Sequence, residues 1–262
     1  MLRVGFVQTE PRFGEKQENF HAAAALISGC SADLLVLPEL FATGYTFASE
    51  TEVLELSEEK GQETTLFLKE LAARCNAAVV AGFIEREKGK CYNSAMMADA
   101  SGNIDIYRKI HLFNKEKLWF SPGDKAPEVI DVMGVKLGIM ICFDWIFPET
   151  CRTLALKGAQ VIAHPANLVL PWAQKAMVTR CLENRVFAVT ANRTGREQRG
   201  GDDFAFTGQS QVTGCRGEIL ALASADKAEV MIVEIDPELA NDKSVTPYND
   251  LFGDRRSGLY SI

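Results

Sequence analysis

A carboxylate, an amine and a thiol together can carry acyl-transfer chemistry, and Glu39, Lys109 and Cys142 stand at the ends of three strand-like runs. Cys142 closes the apolar run Val135–Ile141, and Phe143-Asp144-Trp145-Ile146-Phe147 then leads to a helix opened by Pro148-Glu149. Proline favours the first helical turn and an acid there suits the helix dipole. A thiol on such a strand-to-helix turn is expected at the sheet edge, exposed and close to backbone N–H groups that favour its thiolate, as a cysteine nucleophile is mounted. The competing reading is a buried small hydrophobe. Glu39 follows Leu34-Leu35-Val36-Leu37-Pro38, and the end of a buried strand is where a carboxylate becomes a base able to work near neutral pH. Lys109 ends Ile106-Tyr107-Arg108 in a similar way. Taken singly, either charge could be solvated at a strand rim. A cysteine protease would need a partner histidine, and neither His111 nor His164 sits in a recognisable protease signature. Cysteines 30, 75, 91, 151, 181 and 215 read as packing residues.

The elements that must position these groups are short apolar runs alternating with longer amphipathic stretches. Strands are expected at Leu2–Gln8, Leu34–Leu37, Ala78–Ile84, Asn93–Ala98, Ile104–Tyr107, Lys136–Cys142, Val161–His164 and Phe187–Ala191. Helices are expected at Glu15–Ser28, Thr64–Cys75, Pro148–Lys157 and Trp172–Glu183. Strands with little alternation imply buried sheets covered by helices. Hairpins around Ala100-Ser101-Gly102-Asn103 and Gly214-Cys215-Arg216-Gly217 make those sheets mixed. No Pro- or Ser-rich linker divides the chain, so one domain over 1–262 is the simplest account. Residues 195–203 read as a flexible charged loop and 241–258 as an irregular polar tail.

Composition narrows the partners. The 262 residues are 47% hydrophobic and 24% charged, which excludes disorder and fibres. With 28 basic against 35 acidic residues the net charge is −7, so nucleic acid and anionic lipid are not expected partners and a small molecule is. The chain runs from Met1-Leu2-Arg3 straight into a strand-like segment, which reads as lacking a signal peptide, and no apolar run approaches the ~20 residues of a membrane span. Seven scattered cysteines then point to free thiols in a reducing cytoplasm. No CxxC or HxxxH spacing occurs and the histidines at 21, 111 and 164 are far apart, so no metal site is expected. No GxGxxG or GxxxxGK[ST] follows a strand, which argues against a nucleotide-binding enzyme.

Three segments in order, Leu37-Pro38-Glu39-Leu40-Phe41, Tyr107–Phe113 and Gly138–Asp144, resemble the signature regions of the nitrilase superfamily of carbon–nitrogen hydrolases. Nearly the whole chain follows its pattern, in the manner of the small single-domain members. Cys142–Glu149 with His164–Val169 resembles a thermophilic archaeal nitrilase especially closely, while Phe143-Asp144 after the cysteine is nearer to the amidase and carbamoylase pattern than to Trp-Glu. The resemblance implies an α/β four-layer α-β-β-α sandwich of two mixed sheets. It also implies a triad of Glu39 as base, Lys109 as oxyanion partner and Cys142 as nucleophile. Glu116, within Glu116–Asp124, becomes a second carboxylate beside the triad, its alternative being a solvated loop charge. The backbone N–H of Phe143 becomes an oxyanion donor. Tyr45, Phe113, Trp145, Phe147 and Trp172 lie near the family's pocket segments, Arg180–Arg185 belongs to a helix bracing the base, and His164 is a buried, hydrogen-bonded histidine. The implied reaction is hydrolysis of a small non-peptide amide or carbamoyl compound through a cysteine thioester, with no metal or organic cofactor. The alternatives are a true nitrilase acting on small aliphatic nitriles, and a catalytically silent metabolite-binding or scaffold protein. A homodimer or dimer-based oligomer is expected through Pro148–Lys157, Trp172–Glu183 and residues 237–262.

Overall fold

Runs such as Leu34-Leu35-Val36 and Val161-Ile162-Ala163 have no polar face, which suits strands covered on both sides. In the computed structural model, which describes residues 1–260, every residue of both runs is buried. The first half of the chain forms β1 (Leu2–Gln8), α1 (Lys16–Ile27), β2 (Leu34–Val36), α2 (Glu50–Leu56), α3 (Glu63–Cys75), β3 (Ala78–Glu87), β4 (Lys90–Ala98) and β5 (Ile104–Arg108). There follow α4 (Glu116–Trp119), β6 (Val129–Val132), β7 (Val135–Ile139), a 3₁₀ turn at Cys142–Ile146, α5 (Pro148–Leu156), β8 (Val161–Pro165), α6 (Ala173–Asn184) and β9 (Phe187–Ala191). The remainder gives β10 (Arg196–Arg199), β11 (Asp202–Ala205), β12 (Gln211–Thr213), β13 (Ile219–Leu222), β14 (Glu229–Ile235), β15 (Ser244–Thr246) and β16 (Asn249–Asp250).

Two mixed six-stranded sheets result, in the orders β14-β1-β2-β3-β4-β5 and β13-β12-β9-β8-β7-β6. Each has a parallel centre, β1-β2-β3 and β7-β8-β9, with antiparallel strands outside it. The sheets stack face to face, β1 against β9 and β12, β2 and β3 against β8. Between them lie Val4, Phe6, Val36 and Val80 of the first sheet and Val189 of the second. Helix α3 buries Thr64, Leu68, Leu71 and Ala72, the i, i+3/i+4 stripe of an amphipathic helix, and packs with α1 on the outer face of the first sheet. Helices α5 and α6 cover the second, completing the α-β-β-α layering.

The structure differs from the sequence reading in several elements. Residues 195–203 belong to a hairpin, β10–β11, in which Gly200 and Gly201 both take positive φ and Glu197 points inward. Its mostly polar composition hid it. Strands β6 and β14, the short helices α2 and α4, and the hairpin that extends β3 and β4 to Glu87 and Lys90 were also unread. The strand before the cysteine ends at Ile139, so Cys142 stands on a 3₁₀ turn. The tail carries the small β15–β16 ladder and is tied to the end of α6 by Lys243, whose Nζ donates to the carbonyls of Asn184 and Arg185 (2.9 and 3.0 Å). Of the tail expected in subunit contacts, residues 261 and 262 lie outside the described residues.

Candidate active site

Glu39, Lys109, Cys142 and Glu116 converge where the two sheets meet. Beyond β2, Leu37 N–H donates to Val80 O (2.8 Å) and Gly82 N–H to Pro38 O (3.0 Å), so the Glu39 segment lies along β3. It approaches closely enough that a Cβ on Gly82 would fall 2.5 Å from Glu39 Cα. Lys109, just past β5, is held through its backbone by Asn93 O and Gly123 N–H (2.9 and 2.8 Å). Glu116 opens α4.

Lys109 is the centre of the charge network. Its Nζ donates to Oε1 of Glu39 and Oε1 of Glu116, both at 2.7 Å, and all three side chains are shut off from solvent. Burying charges is costly unless they are paired and hydrogen-bonded, and here the partners are supplied. Asn93 Nδ2 donates to Glu39 Oε1 (2.7 Å), while Tyr45 O–H (2.7 Å) and Phe113 N–H (3.1 Å) donate to the Glu116 carboxylate. Burial alone would lower the Lys109 pKa, but the charges of Glu116 and Glu39 outweigh it and hold the ammonium well above its ordinary range. Burial pushes Glu116 up, Lys109 opposes that, and Glu39 adds to it. Glu39 Oε2, though buried, has no hydrogen-bond partner. An unengaged carboxylate lone pair is what a proton acceptor requires.

Cys142 is 5% exposed, and burial together with the charge of Glu39 pushes its thiol well above the usual range despite Lys109. The exposed, thiolate-favouring setting expected from the sequence is therefore corrected: the sulfur rests as a buried thiol beside an acceptor. Its backbone has φ +40°, a left-handed conformation that costs a non-glycine residue about 1–2 kcal/mol and redirects the side chain. His164 Nε2 steadies the turn by donating to Cys142 O (3.0 Å). His164 Nδ1 then accepts from Thr190 O–H (3.1 Å), and burial lowers the histidine's pKa, keeping it neutral. Asn167 links Cys142 and Glu39: its carbonyl faces Cys142 Sγ at 3.8 Å and its Nδ2 donates to Glu39 O at 2.9 Å.

A small pocket of about 10 Å³, the space of roughly one water, opens on Cys142 between Phe113, Phe143, Trp145, Asn167, Leu168, Val169 and Leu170. Phe113 and Trp145 are among its lining residues. Tyr45 does not line it; it packs between Phe204 and Phe206 and holds Glu116. Phe147 is also displaced from the lining, its ring stacked on His111 at 3.7 Å. Trp172 is 57% exposed at the start of α6, where an indole beside Pro171 meets solvent rather than the pocket. Arg180 braces the turn that carries Cys142, donating to Trp145 O (3.2 Å), and not Glu39. Asn93 inside a strand, Asn167 in the loop after one and Asp144 on the 3₁₀ turn were missed, since a single polar residue within or beside an apolar run carries no local signal beyond its burial cost. A larger cleft of about 670 Å³ between the β5 and β6 edges is walled by charged residues and touches none of the four site residues.

Residues 3–243 match the model of a family described as carbon-nitrogen hydrolase. The chain is 47% identical over 264 residues, 99% of each chain, to a nitrilase of Pyrococcus abyssi. Among solved structures it superposes on a carbon-nitrogen hydrolase from Helicobacter pylori G27 with a TM-score of 0.89 at 29% identity, covering 99% of this chain and 96% of that one. A mutant of the amidase from Nesterenkonia sp. AN1, showing Michael addition of acrylamide at its active-site cysteine, aligns with a TM-score of 0.81 at 27% identity over 99% and 98% of the two chains.

Proposed function

The chain belongs to the carbon–nitrogen hydrolase family and is an enzyme of that family, and from that premise we propose that it hydrolyses a small non-peptide amide to a carboxylic acid and ammonia, or a carbamoyl compound to ammonia and a carbamic acid that then loses CO₂, through a thioester on Cys142. The observation that supports this reading is the buried Glu39–Lys109–Glu116 chain, with one Glu39 oxygen unengaged, beside a buried thiol. Glu39 takes the Cys142 proton as sulfur attacks the carbonyl carbon, and the C=O electrons move onto oxygen. Lys109 and the N–H of Phe143, the second residue of the 3₁₀ turn, stabilise that oxyanion; one such donor contributes ~3 kcal/mol. The C–N bond then breaks as Glu39 returns the proton to nitrogen, releasing ammonia. Water, deprotonated by Glu39 and positioned with Glu116, attacks the thioester; the acid departs and Cys142 regains its proton. No step calls on a metal or organic cofactor.

A nitrile reading is favoured by one observation, the 47% identity to the Pyrococcus abyssi nitrilase. The two chemistries differ at one atom: an amide develops an oxyanion and draws on both donors, whereas a nitrile develops a nitrogen that must be protonated. Ammonia release from matched amide and nitrile pairs of one carbon skeleton separates them. Amides should be preferred; a nitrile preference of ~100-fold in kcat/KM, ~2.7 kcal/mol, reverses the assignment. Cys142→Ala should abolish turnover with the fold intact, and full activity in that variant overturns the thioester.

The assembly belongs to the same proposal. Leu156, Trp172 and Leu182 expose apolar surface on α5, at the start of α6 and along it, and the tail anchored by Lys243 continues that face with Val245 and Tyr248 exposed. We infer an isologous homodimer, or a dimer-based oligomer, through this face; a monomer by light scattering at micromolar concentration overturns it. All seven cysteines are unpaired, as suits a cytoplasmic enzyme, and no helix among the described residues is long and apolar enough to cross a membrane.

A further inference from the structure

Asp144 is a fully buried carboxylate that no step above uses, yet four donors converge on it. Oδ2 accepts from Tyr107 O–H (2.8 Å) and Ile141 N–H (2.9 Å); Oδ1 accepts from His111 N–H (3.1 Å) and from His111 Nδ1 (2.8 Å). Tyr107 and His111 flank Lys109, and Ile141 directly precedes Cys142. The Asp144 N–H also donates to Ile141 O (3.0 Å), closing a ring around the strained cysteine. Phe147 stacks on the His111 ring at 3.7 Å and 14°, fixing its orientation. Asp144 itself lies outside the pocket lining that Phe143 and Trp145 share.

We propose that Asp144 is a positioning residue: its carboxylate locks the segment bearing Lys109 to the turn bearing Cys142, and so sets the distance between the charge network and the nucleophile. This rests on the thioester reading for its kinetic consequence. It also gives the acid two places after the cysteine a role in geometry rather than in the choice between amide and nitrile. An ionised carboxylate is acceptor-only, with room for four donors. Asparagine is nearly isosteric but offers one oxygen. Tyr107 and the His111 ring could turn to accept from its NH₂, whereas the backbone N–H of Ile141 or of His111 then faces a donor, so one side of the lock must open.

The test is Asp144→Asn with Tyr107→Phe and His111→Ala as milder companions, read by steady-state kinetics on a small aliphatic amide and its nitrile, by thermal unfolding, and by the iodoacetamide labelling rate of Cys142. In Asp144→Asn, kcat should fall on the order of 10–100-fold with KM within about 3-fold and the amide-to-nitrile ratio unchanged. Labelling of Cys142 should change by at least about 5-fold relative to Cys30. An unchanged kcat with only lowered thermal stability overturns the proposal, and so does a shift of more than about 10-fold in the substrate ratio. If Asp144→Asn does not fold, the companions decide: a loss of roughly 3–10-fold in kcat at constant KM supports the lock, and an unchanged kcat in both refutes it. Labelling needs no substrate. Should the wild type hydrolyse nothing in the panel, a changed Cys142 rate still supports the lock while the reaction assignment fails, and an unchanged rate overturns the lock itself.

Discussion

Gly82→Ala tests whether the close approach of β3 to the Glu39 turn sets the position of the proposed base. A methyl at residue 82 would stand 2.5 Å from Glu39 Cα, 2.5 Å from Leu40 N and 2.9 Å from Glu39 C, all backbone atoms that cannot swing aside. Ordinary contact begins near 3.4 Å, so the Glu39 backbone must retreat by about 1 Å. A displacement of that size can lower catalysis about 100-fold, ~2.7 kcal/mol in the barrier, while the overpacking costs about 1–3 kcal/mol of stability. Gly5→Ala is the matched control: its methyl would lie 2.7 Å from Met231 O and 2.8 Å from the Ile232 side chain, on the β14 side of β1. Both variants should lose a few degrees of Tm, and only Gly82→Ala should lose ammonia release at saturating amide. If the two fall together in Tm but Gly82→Ala keeps kcat/KM within about 3-fold of wild type, the base is not positioned through this contact.

Two further outcomes are expected. Arg193, 1% exposed, pairs with Glu197, whose carboxylate also accepts from Tyr45 and Thr46 N–H (3.1 and 2.7 Å); Glu197→Gln should therefore cost about 3–5 kcal/mol by leaving the guanidinium buried and uncompensated, and a loss under 1 kcal/mol in urea unfolding contradicts that. Burial lowers the His164 pKa below its unfolded value of 6.5, so the unfolded chain takes up a proton the native state refuses: this contribution is complete above that pH and is lost as pH falls below it, by up to about 1.4 kcal/mol per unit. His164→Gln should flatten the slope of stability between pH 5 and 6.5, and identical slopes in the two proteins count against it.

What could be read in the sequence was what a single segment encodes. Glu39 and Cys142 each follow an apolar run, Lys109 ends the strand-like Ile106-Tyr107-Arg108, and Glu116 lies within the Glu116–Asp124 segment that carries the family resemblance, so residue type, place along the chain and that resemblance together name them as candidates. The two parallel strand centres were equally plain, because fully buried strands are continuous apolar runs. Residues whose role is a long-range hydrogen bond were not: Asn167 meets Glu39 across 128 positions and Asp144 meets Tyr107 across 37. The aromatics show the same boundary from the other side. Tyr45, Phe147 and Trp172 sit near pocket segments in sequence, yet one holds a carboxylate, one stacks on an imidazole and one faces solvent, because an aromatic's composition fixes its area but not its direction.

The misreading of the thiol follows from the same physics. A strand-to-helix turn is present, and on that basis a dipole-stabilised thiolate was the natural expectation. The chain closes that turn inside the sandwich instead, where desolvation and the neighbouring Glu39 both raise the cost of a sulfur anion and only Lys109 opposes them. A thiol in that setting gains little from lowering its own pKa, since the same Lys109 is already engaged by two carboxylates at 2.7 Å. On the proposed mechanism it reacts as its proton leaves while the new bond forms, and Glu39 Oε2 is the one carboxylate oxygen of the Glu39–Lys109–Glu116 network without a hydrogen-bond partner. Iodoacetamide inactivation should accordingly rise far less than tenfold per pH unit below pH 8.5, the midpoint of an ordinary thiol. A tenfold rise per pH unit up to that midpoint would place the proton on an unassisted cysteine and remove Glu39 from its proposed role as base.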